Sequence, residues 1–319
     1  MASGVFIGID TSNYTTSAAG LCSDGEVFCA KRPLEVPQGA RGMRQSDALF
    51  CHTRDLKEVL AALFSEIREK KGNVPVLAVA ASSTPRRVEG SYMPCFLAGV
   101  SAAAAMAEGL GVPFLQFSHQ EGHIEAVRLG AEKEGKTLPQ GPFLAFHLSG
   151  GTTELLLVEE DEKRYNAALL AEVLDLTLGQ LIDRSGVKLG LPFPAGAPLE
   201  ALAKKSNKKF RVKIPVRENG INLSGFENRF DQILKNGESP EDAAGFIFTV
   251  AGEAVKALLS LAGREDLPVL FSGGVSSSEI LKTVFSGERY FFAPPIYSAD
   301  NAMGIASLCR KGVQNGSLS

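Results

Sequence analysis

Apolar and polar positions follow two different periods along this chain, and together they predict strands alternating with helices. Short apolar, β-branched runs bounded by turn residues predict a meander of three strands at residues 5–9, 17–21 and 26–31. A Pro-, Gly- and Arg-rich loop follows, and apolar residues at helical spacing then predict a helix from Asp47, its expected N-cap, to Lys70. The chain therefore opens with an antiparallel meander that leads into a helix.

The same alternation continues to the end of the sequence. Further strands are predicted at 76–80, 112–117, 143–148, 155–158, 269–271 and 290–292. Further helices are predicted at 92–110, from 119, at 178–189, 198–205 and 240–261, from 279, and at 299–309. This order of elements is typical of an α/β protein.

A weak internal repeat suggests two related lobes. Residues 6–16 and 143–153 both read as strand, polar turn, Thr-Thr and strand. Such a repeat predicts a duplicated lobe, with the two turns facing each other across a cleft. The charged segment 131–140 ends in Leu-Pro-Gln-Gly-Pro and is the best linker candidate.

These features give a two-domain prediction. We expect an N-terminal lobe at 1–138, with a C-terminal helix at 296–319 packing back on it. The C-terminal lobe is expected at 139–295, with a helical insertion at about 178–260.

Composition narrows the functional classes. The net charge of -3 over 319 residues gives no whole-chain argument for nucleic-acid binding, so such binding would need a local basic patch. The five cysteines are scattered without a Cys-x-x-Cys pair, which argues against a disulfide framework and a thiolate zinc site. With no signal-peptide pattern and no apolar run of spanning length, we expect a cytoplasmic protein without a membrane association.

A pair of histidines is the strongest chemical signal. His119 and His123 lie one helical turn apart, which places both imidazoles on one face and suits a divalent metal. His147 and Asp300 are the candidates for further ligands, although Asp300 would serve equally as a helix N-cap. Glu121 stands at the third position of the motif and does not fit the zinc-protease patterns, which makes a peptidase a poor interpretation.

Three turns rich in small residues occur at strand ends, at 10–13, 149–153 and 272–278. Glycine allows close approach of the backbone to a ligand, and exposed N–H groups there bind anions. Each turn alone is a weak signal, but three in a duplicated α/β chain favour a nucleotide. Asp183 with Gly179, and the segment 194–198, would suit a ribose and base, or are simply a helix-surface acid and a helix-start turn.

Seven ordered motifs then bring a known family to mind. They are Gly8–Ser12, His119–His123, Leu148–Leu155, Leu189–Pro194, Ser224–Phe226, Ser272–Val275 and Ser298–Ala302. In this order they resemble the TsaD/Kae1/Qri7 family, the tRNA N6-threonylcarbamoyladenosine transferases formerly called O-sialoglycoprotein endopeptidases. The resemblance implies the two-lobed actin-like ATPase fold of sugar kinases, Hsp70 and actin, with RNase H-like lobes and a nucleotide and metal cleft.

The resemblance also implies a set of site residues. His119, His123 and Asp300 match the metal ligands of the family, and His147 falls where some members place an aromatic hydroxyl ligand. The turns and the resemblance together predict these nucleotide-binding residues: Ser149, Gly150, Gly151, Thr152, Gly179, Asp183, Gly196, Gly273, Gly274 and Ser278. The predicted catalytic residues lie at the end of the first strand and are Asp10, Thr11 and Ser12.

Three departures from the family pattern suggest a divergent paralogue. Where the family reads Glu-Thr-Ser-Cys-Asp-Glu-Thr, residues 10–16 carry Tyr14 and Thr15 in place of the two downstream acids. One of those acids is the presumed catalytic carboxylate of the family. The expected glycine-rich loop is replaced by Ser83–Arg87, and an expected asparagine by Ser278.

The resemblance implies metal-dependent transfer of a threonylcarbamoyl group from threonylcarbamoyl-adenylate to N6 of adenosine 37 in tRNA. The metal would be iron or zinc, with magnesium as a companion of the nucleotide. Two alternatives stay open: a non-catalytic, nucleotide-binding regulatory paralogue, and a carbamoyltransferase or kinase of the same fold, for which Asp10 could hold a magnesium–nucleotide complex.

The expected partners are tRNA and proteins of the threonylcarbamoyl pathway, with a homodimer or heterodimer as the assembly. The basic stretch 204–217, together with Arg86 and Arg87, could contact RNA phosphates or form a solvated charged face.

Overall fold

The chain forms two compact units. The structure is a computed structural model that describes residues 3–12, 14–35, 43–161, 164–298, 302–314 and 316. Unit 1 comprises Met1–Gly130, Glu160–Asn166 and Asp300–Ser319, and unit 2 comprises Ala131–Glu159 and Ala167–Ala299. Among the residues predicted above, Asn13 and Asp300 lie outside the described part of the chain.

Unit 1 is built on a five-stranded sheet with the order β3-β2-β1-β4-β5. Its elements, labelled in chain order, are β1 (Val5–Asp10), β2 (Thr15–Cys22), β3 (Val27–Pro33), α1 (Gln45–Lys71), β4 (Val76–Thr84), α2 (Phe96–Leu110), β5 (Phe114–Ser118), α3 (His119–Lys133) and α10 (Met303–Gln314). Strand β1 pairs antiparallel with β2 and parallel with β4. Every residue of β1 is buried, which explains its unbroken apolar run, because a central strand is covered on both faces.

Unit 2 contains most of the second sheet, with the order β12-β11-β6-β7-β8-β10-β9, although Glu160–Asn166, at the ends of β7 and β8, belongs to unit 1. Its strands are β6 (Phe143–Leu148), β7 (Thr153–Asp161), β8 (Arg164–Val173), β9 (Val216–Arg217), β10 (Gly220–Ile221), β11 (Val269–Ser272) and β12 (Tyr290–Phe292). Its helices are α4 (Leu178–Lys188), α5 (Gly196–Ala203), α6 (Ser224–Lys235), α7 (Pro240–Ala262), α8 (Glu279–Val284) and α9 (Pro295–Ser298). A single 3₁₀ turn, Gly274–Ser277, follows β11.

The two sheets repeat one strand order, which confirms the predicted duplication. Counted from the first strand of each unit, both read third-second-first-fourth-fifth, with β9 and β10 added at one edge of the second sheet. In both sheets the first two strands pair antiparallel and the fourth pairs parallel with the first. Two of the three turns predicted to bind a nucleotide, those that begin at Asp10 and Ser149, therefore follow the first strand of a sheet.

Helix α10 packs on β1 and α3 through glycines. A Cβ atom added at Gly304 would lie 1.8 Å from the carbonyl oxygen of Gly122 in α3, and one added at Gly8 would lie 2.4 Å from the amide nitrogen of Ala306. Neither position has room for a methyl group, so the backbones lie at a separation that only glycine permits. Gly122, within the motif that carries His119 and His123, supplies the carbonyl that Gly304 approaches, and a Cβ atom at Gly122 itself would lie 2.8 Å from Cδ1 of Ile305.

Some predicted helix ends are wrong. Helix α1 begins at Gln45, with Arg44 at the N-cap, so Asp47 lies in the first turn, where its negative charge favours the helix dipole. Helix α2 begins at Phe96 rather than Tyr92. Pro94 precedes that start, and a proline is tolerated there because the first amides of a helix need no partner inside it.

Several elements of unit 2 were not predicted, among them β8 and α6. Strand β8 has few buried residues and therefore gives a weak apolar signal. Helix α6 depends on a distant cap: the Asp175 carboxylate accepts hydrogen bonds from the amides of Leu223 and Ser224, at 2.8 and 3.1 Å. Burial raises the pKa of Asp175, but hydrogen bonds from Ser224 and backbone amides outweigh it and lower the value to about 2.

Helix α7 corrects the expectation that no apolar run is long enough to span a bilayer. By length and composition it passes that test, with a mean hydropathy of 1.5 over an 18-residue window. A little over half of the window is buried inside the protein, and α7 supplies many residues of the core of unit 2. A central core helix has the same composition as a membrane span.

The glycine contact gives a stability prediction with an internal control. Gly304→Ala should lower the free energy of unfolding by roughly 1–3 kcal/mol, because its new methyl group must displace the backbone of α3. Gly109→Ala in α2 should raise it by about 0.5–1 kcal/mol, because nothing lies within 4 Å and alanine favours helix. Chemical denaturation of both variants checks the pair, and equal effects would contradict the close approach.

Candidate functional site

The two histidines of α3 lie side by side at the start of the helix. Their Nε2 atoms are 2.9 Å apart, and the rings meet edge to face with centroids 4.3 Å apart. His123 is 6% exposed, and the side chain of His119 is 13% exposed. Helix α3 follows β5 directly, so the pair sits at the carboxyl end of a sheet strand, where α/β proteins place ligands.

Asp10 orients His119 from the end of β1. One carboxylate oxygen lies 3.2 Å from Nδ1 of His119, and the carboxylate also accepts hydrogen bonds from Ser12, at 2.7 Å, and from Ser82. Burial alone would raise the pKa of this 1% exposed acid. The charge of His119 and the three hydrogen bonds outweigh burial and lower the pKa below its usual value.

This hydrogen-bond pattern fixes the proton on His119. An ionised carboxylate can only accept, so Nδ1 of His119 carries a proton. The Nε2 atoms of His119 and His123 share a hydrogen bond of 2.9 Å, so one of these two atoms carries a proton as well. Histidines that bind metals are held in this way by a carboxylate on the other ring nitrogen. The two Nε2 atoms are therefore of the right type to bind a divalent metal that displaces the proton between them.

The sequence also predicted Asp300 and His147 as ligands. Asp300 lies outside the described residues, and His147 lies in β6 of unit 2, with Nδ1 3.9 Å from a carboxylate oxygen of Glu154. Searched over the residues that the structure describes, the chain contains no group of three or more His, Cys, Asp or Glu side chains that could hold a metal. The described part of the site is thus a pair of imidazoles with an orienting acid.

Glu121 has a structural role that the sequence did not reveal. Its buried carboxylate accepts hydrogen bonds from the amide and hydroxyl of Ser118, at 2.7 and 2.8 Å. Arg164 completes the set with two nearly parallel bonds of 3.0 and 2.9 Å. A bidentate arginine–carboxylate pair is geometrically specific, so Glu121 holds the first turn of α3 and with it both histidines.

The other two predicted catalytic residues are engaged inside the protein. The Thr11 hydroxyl donates to the carbonyl of Cys95 at 3.0 Å and accepts from the amide of Gly99 at 3.2 Å. The Ser12 hydroxyl donates to Asp10. Both side chains are almost fully buried, so they position Asp10 and α2 in this structure.

The two positions that carry acids in the family have no carboxylate here. Tyr14 is 44% exposed, and Thr15 begins β2. The next residue, Thr16, is buried and lies 2.8 Å from Nδ1 of His52 through its hydroxyl. The fourth histidine of the chain is therefore part of the core of unit 1.

A cavity of about 360 Å³ lies within unit 2, in the size range of small-molecule sites. Six of the predicted nucleotide-binding residues line it: Gly150, Gly179, Asp183, Gly196, Gly274 and Ser278. Four others are not part of its lining: Ser149, Gly151, Thr152 and Gly273. Lining residues that the sequence did not indicate include Ile182, Glu200 and Phe248.

The glycines of this cavity have different functions. A Cβ atom at Gly179 would lie 2.4 Å from the carbonyl oxygen of Ser149, so this glycine allows α4 to pack against the turn after β6. At Gly150 and Gly274, which both line the cavity, a Cβ atom would meet no protein atom within 4 Å. These two glycines keep open a space that suits a bulky ligand.

Two carboxylates face the cavity with oxygens available to a ligand. One oxygen of Asp183 accepts from the amide of Ala195 at 2.8 Å, and its second oxygen has no hydrogen bond to the described residues. Burial raises the pKa of Asp183, and the Ala195 bond offsets this in part. Oε1 of Glu200 accepts from the Ser278 hydroxyl at 2.6 Å and from the amide of Ile280 at 2.8 Å.

The basic stretch of unit 2 projects its cations outward. Its apolar residues pack on the core around α7, and they are Phe210, Val212 and Ile214. The residues that alternate with them are exposed, as expected for an extended segment, and they are Lys209, Arg211 and Lys213. Within the described chain these three form no ion pair, whereas Lys208 pairs with Glu238.

Comparison with known proteins gives one consistent family. A family model for tRNA N6-adenosine threonylcarbamoyltransferase matches residues 38–307. The chain is 25% identical to the protein of that name from Methanopyrus kandleri, over 95% of this chain and 86% of the relative. It is 28% identical to the one from Chlorobium luteolum, over 95% and 92%.

A solved structure supports the fold. The crystal structure of T. kodakarensis HypF matches 97% of this chain with a TM-score of 0.59 and 16% identity. The chain spans about half of that protein, 48% of its length, and at this identity the likeness shows the fold alone. With the repeated strand order, it confirms the predicted two-lobed actin-like α/β fold.

The cavity gives a binding prediction with a pH dependence. Asp183→Asn should weaken AMP binding about tenfold or more, because an amide accepts hydroxyl hydrogen bonds less well than a carboxylate. The raised pKa of Asp183 means that acidification should protonate it at a higher pH than an ordinary aspartate. AMP affinity of the wild type should therefore fall as pH drops through that pKa, and that fall should be absent in Asp183→Asn.

Calorimetric titration with AMP from pH 4 to pH 8 checks this expectation. Asp266→Asn, at a side chain 73% exposed, is the matched control and should behave as the wild type. Gly274→Val should block AMP without loss of stability, because its side chain would enter the open cavity. Unchanged AMP binding in both site variants would contradict a nucleotide at this cavity.

Proposed function

Because the chain belongs to the TsaD family of tRNA N6-adenosine threonylcarbamoyltransferases, we propose that it transfers a threonylcarbamoyl group from threonylcarbamoyl-adenylate to N6 of adenosine 37 in tRNA. The observation that carries the proposal is the histidine pair of α3 with Asp10 on its Nδ1 side. It is a site prepared for a metal, in a chain that also has a glycine-lined cavity of nucleotide size.

The adenylate is assigned to the cavity of unit 2. The open glycines Gly150 and Gly274 leave room for it, and the second oxygen of Asp183 is available to ribose hydroxyls. Glu200, held by Ser278, adds a second acceptor to the cavity wall. A cavity with a small number of well-placed polar groups is typical of sites that bind small ligands.

The metal is assigned to unit 1, with His119 and His123 as its ligands there, whereas Asp300 and His147 remain predictions from the sequence. An iron or zinc ion there would polarise the carbamoyl carbonyl as a Lewis acid. The protein contributes orientation: Asp10 fixes the proton of His119, and Glu121 fixes the helix that carries both imidazoles.

The chemical step needs a proton acceptor. N6 attacks the carbamoyl carbon, the bond from that carbon to the phosphate oxygen breaks, AMP leaves, and the amine loses one proton. Tyr14 and Thr15 offer no carboxylate for that proton, while Asp10 is the acid at the end of β1. Three donors already bind Asp10, so we expect slow transfer compared with relatives that retain both acids.

The same loss favours a second candidate, a regulatory paralogue that binds adenine nucleotide without transfer. The two candidates make different predictions in a strain that lacks its authentic transferase. If the protein restores threonylcarbamoyladenosine in the tRNA of that strain, the result supports an active transferase. Failure of rescue, with AMP binding retained in the purified protein, supports the regulator.

A direct assay tests the proposed reaction. Purified protein, with the partner proteins of the pathway and a divalent metal, is incubated with threonylcarbamoyl-adenylate and a tRNA transcript. Mass spectrometry of the nucleosides should detect threonylcarbamoyladenosine with adenosine at position 37 and not with guanosine there. A protein that binds AMP and metal but never modifies this tRNA would contradict the proposal.

The orienting acid gives a metal-binding prediction. Asp10→Asn should weaken zinc affinity about 10- to 100-fold, because His119 loses the anionic acceptor that fixes its ring. Competition with a chromophoric chelator measures that affinity without any activity assay. Glu108→Gln, at an exposed acid of α2, is the control and should leave it unchanged. Equal affinities in the wild type and Asp10→Asn would remove the assigned role of Asp10.

The basic stretch gives an RNA-binding prediction. Replacing Lys209, Arg211 and Lys213 by glutamate should weaken tRNA binding and reduce the slope of log K against log salt by roughly 2–3, about one per lost phosphate contact. The matched control places the same charge change on α1, at Lys57, Arg68 and Lys70. Filter binding at several salt concentrations distinguishes them, and equal slopes in both triple variants would refute a role for this segment.

A further inference from the structure

The loop that replaces the glycine-rich segment of the family joins β4 to α2 and is held to the histidine site at both ends. At its start, the carbonyl of Pro85 accepts a hydrogen bond of 3.1 Å from the amide of Gln120, the residue after His119. Three residues earlier, Ser82 donates to Asp10. The loop therefore leaves β4 directly beside the first turn of α3.

The end of this loop returns to the same place. The carbonyl of Cys95 accepts from Thr11, the neighbour of Asp10. The ring of Phe96 lies 6.3 Å from the ring of His119, centroid to centroid. Residues 85–95 thus form a rim beside His119 whose two ends are fixed to the elements that carry the site.

The middle of the loop is ordered by its own hydrogen bonds. The amide of Ser91 donates to the carbonyl of Val88 at 3.0 Å, and Gly90 adopts a φ of +79°, as such a turn requires. The amide of Arg86 donates to the hydroxyl of Ser91 at 3.1 Å. These bonds hold the exposed residues at the tip in a defined conformation.

Arg87 projects from this loop with an uncompensated charge. Its Nη1 atom donates to the side-chain oxygen of Asn166 at 2.9 Å, a neutral partner. Asn166 lies two residues after Arg164, on the same face of β8 as the arginine that binds Glu121 of α3. Arg87 forms no ion pair with the described residues, Glu89 of its own loop included.

The chemistry of the proposed donor calls for such a cation. A threonylcarbamoyl group carries the α-carboxylate of threonine. In unit 1 the groups described around Asp10 are the imidazole of His119 and the hydroxyls of Ser12 and Ser82. A carboxylate brought beside the acid Asp10 would be repelled by it, and a guanidinium next to the site, in addition to the metal proposed there, would offset that repulsion.

On the basis of the proposed function, we propose that Arg87 binds the carboxylate of the acyl group handled at His119 and His123 and so selects amino-acid-derived acyl donors. A guanidinium matches a carboxylate with two parallel N–H bonds, and the Asn166 contact holds one of its nitrogens in place. Arg87 is a specificity-determining residue in this assignment.

The test compares two non-hydrolysable analogues of the donor. One analogue is threonylcarbamoyl-adenylate with a stable linkage in place of the acyl phosphate, and the other carries a carboxamide where the first has its carboxylate. Arg87→Ala should weaken binding of the first about 10- to 100-fold and leave the second unchanged. Arg87→Lys should bind the first analogue with an affinity between those of the wild type and Arg87→Ala, because lysine keeps the positive charge but cannot form two parallel N–H bonds to a carboxylate.

Controls separate this inference from the function on which it rests. Arg68→Ala, at an exposed arginine of α1, should bind both analogues as the wild type does. If Arg87→Ala weakens both analogues equally, or neither, the carboxylate assignment is overturned while the proposed function stands. If the wild type binds neither analogue, the proposed function itself fails.

Discussion

A buried carboxylate holds the functional part of unit 1 together. Asp10 ends β1, accepts from Ser82 of β4 and binds His119 of α3, so three separate elements meet at one charge. Leaving any of these donors unpaired beside a buried acid would cost more than the bond contributes, which makes the arrangement strongly preferred. The positions of the first turn of α3 and of the loop after β4 both depend on this contact.

Glu121 supports the same turn from the other side. Asp10 fixes the ring of His119. Glu121 fixes the backbone of Ser118 and, through Arg164, links α3 to β8. Asp10 keeps a proton on Nδ1 of His119, and Glu121 fixes the position at which α3 begins. A site supported on both sides can bind a ligand with little rearrangement, which is the physical meaning of preorganisation.

The features of the fold that depend on local periodicity could be predicted from the sequence. The strand–turn–strand repeat and the placement of both histidines side by side on one helix were correct because spacing along the chain determines them. What it missed depends on partners far apart in sequence. Glu121 meets Arg164 across 43 residues, and Asp175 caps α6 across 48. No local sequence pattern identifies Glu200 as a cavity residue, because its position there depends on the packing of α5 against the turn after β11.

The contact of Gly122 with Gly304 changes how the histidine motif can be used to search for related proteins. The helix crossing requires glycine at position 304, where a Cβ atom would lie 1.8 Å from the carbonyl oxygen of Gly122, and it favours a small residue at position 122, where a Cβ atom would lie 2.8 Å from Cδ1 of Ile305. A homologue without the two imidazoles would still need the glycine at position 304. The motif therefore combines a constraint from helix packing at Gly122 with a second constraint from the chemistry proposed for the two histidines. Only the histidines bear on function.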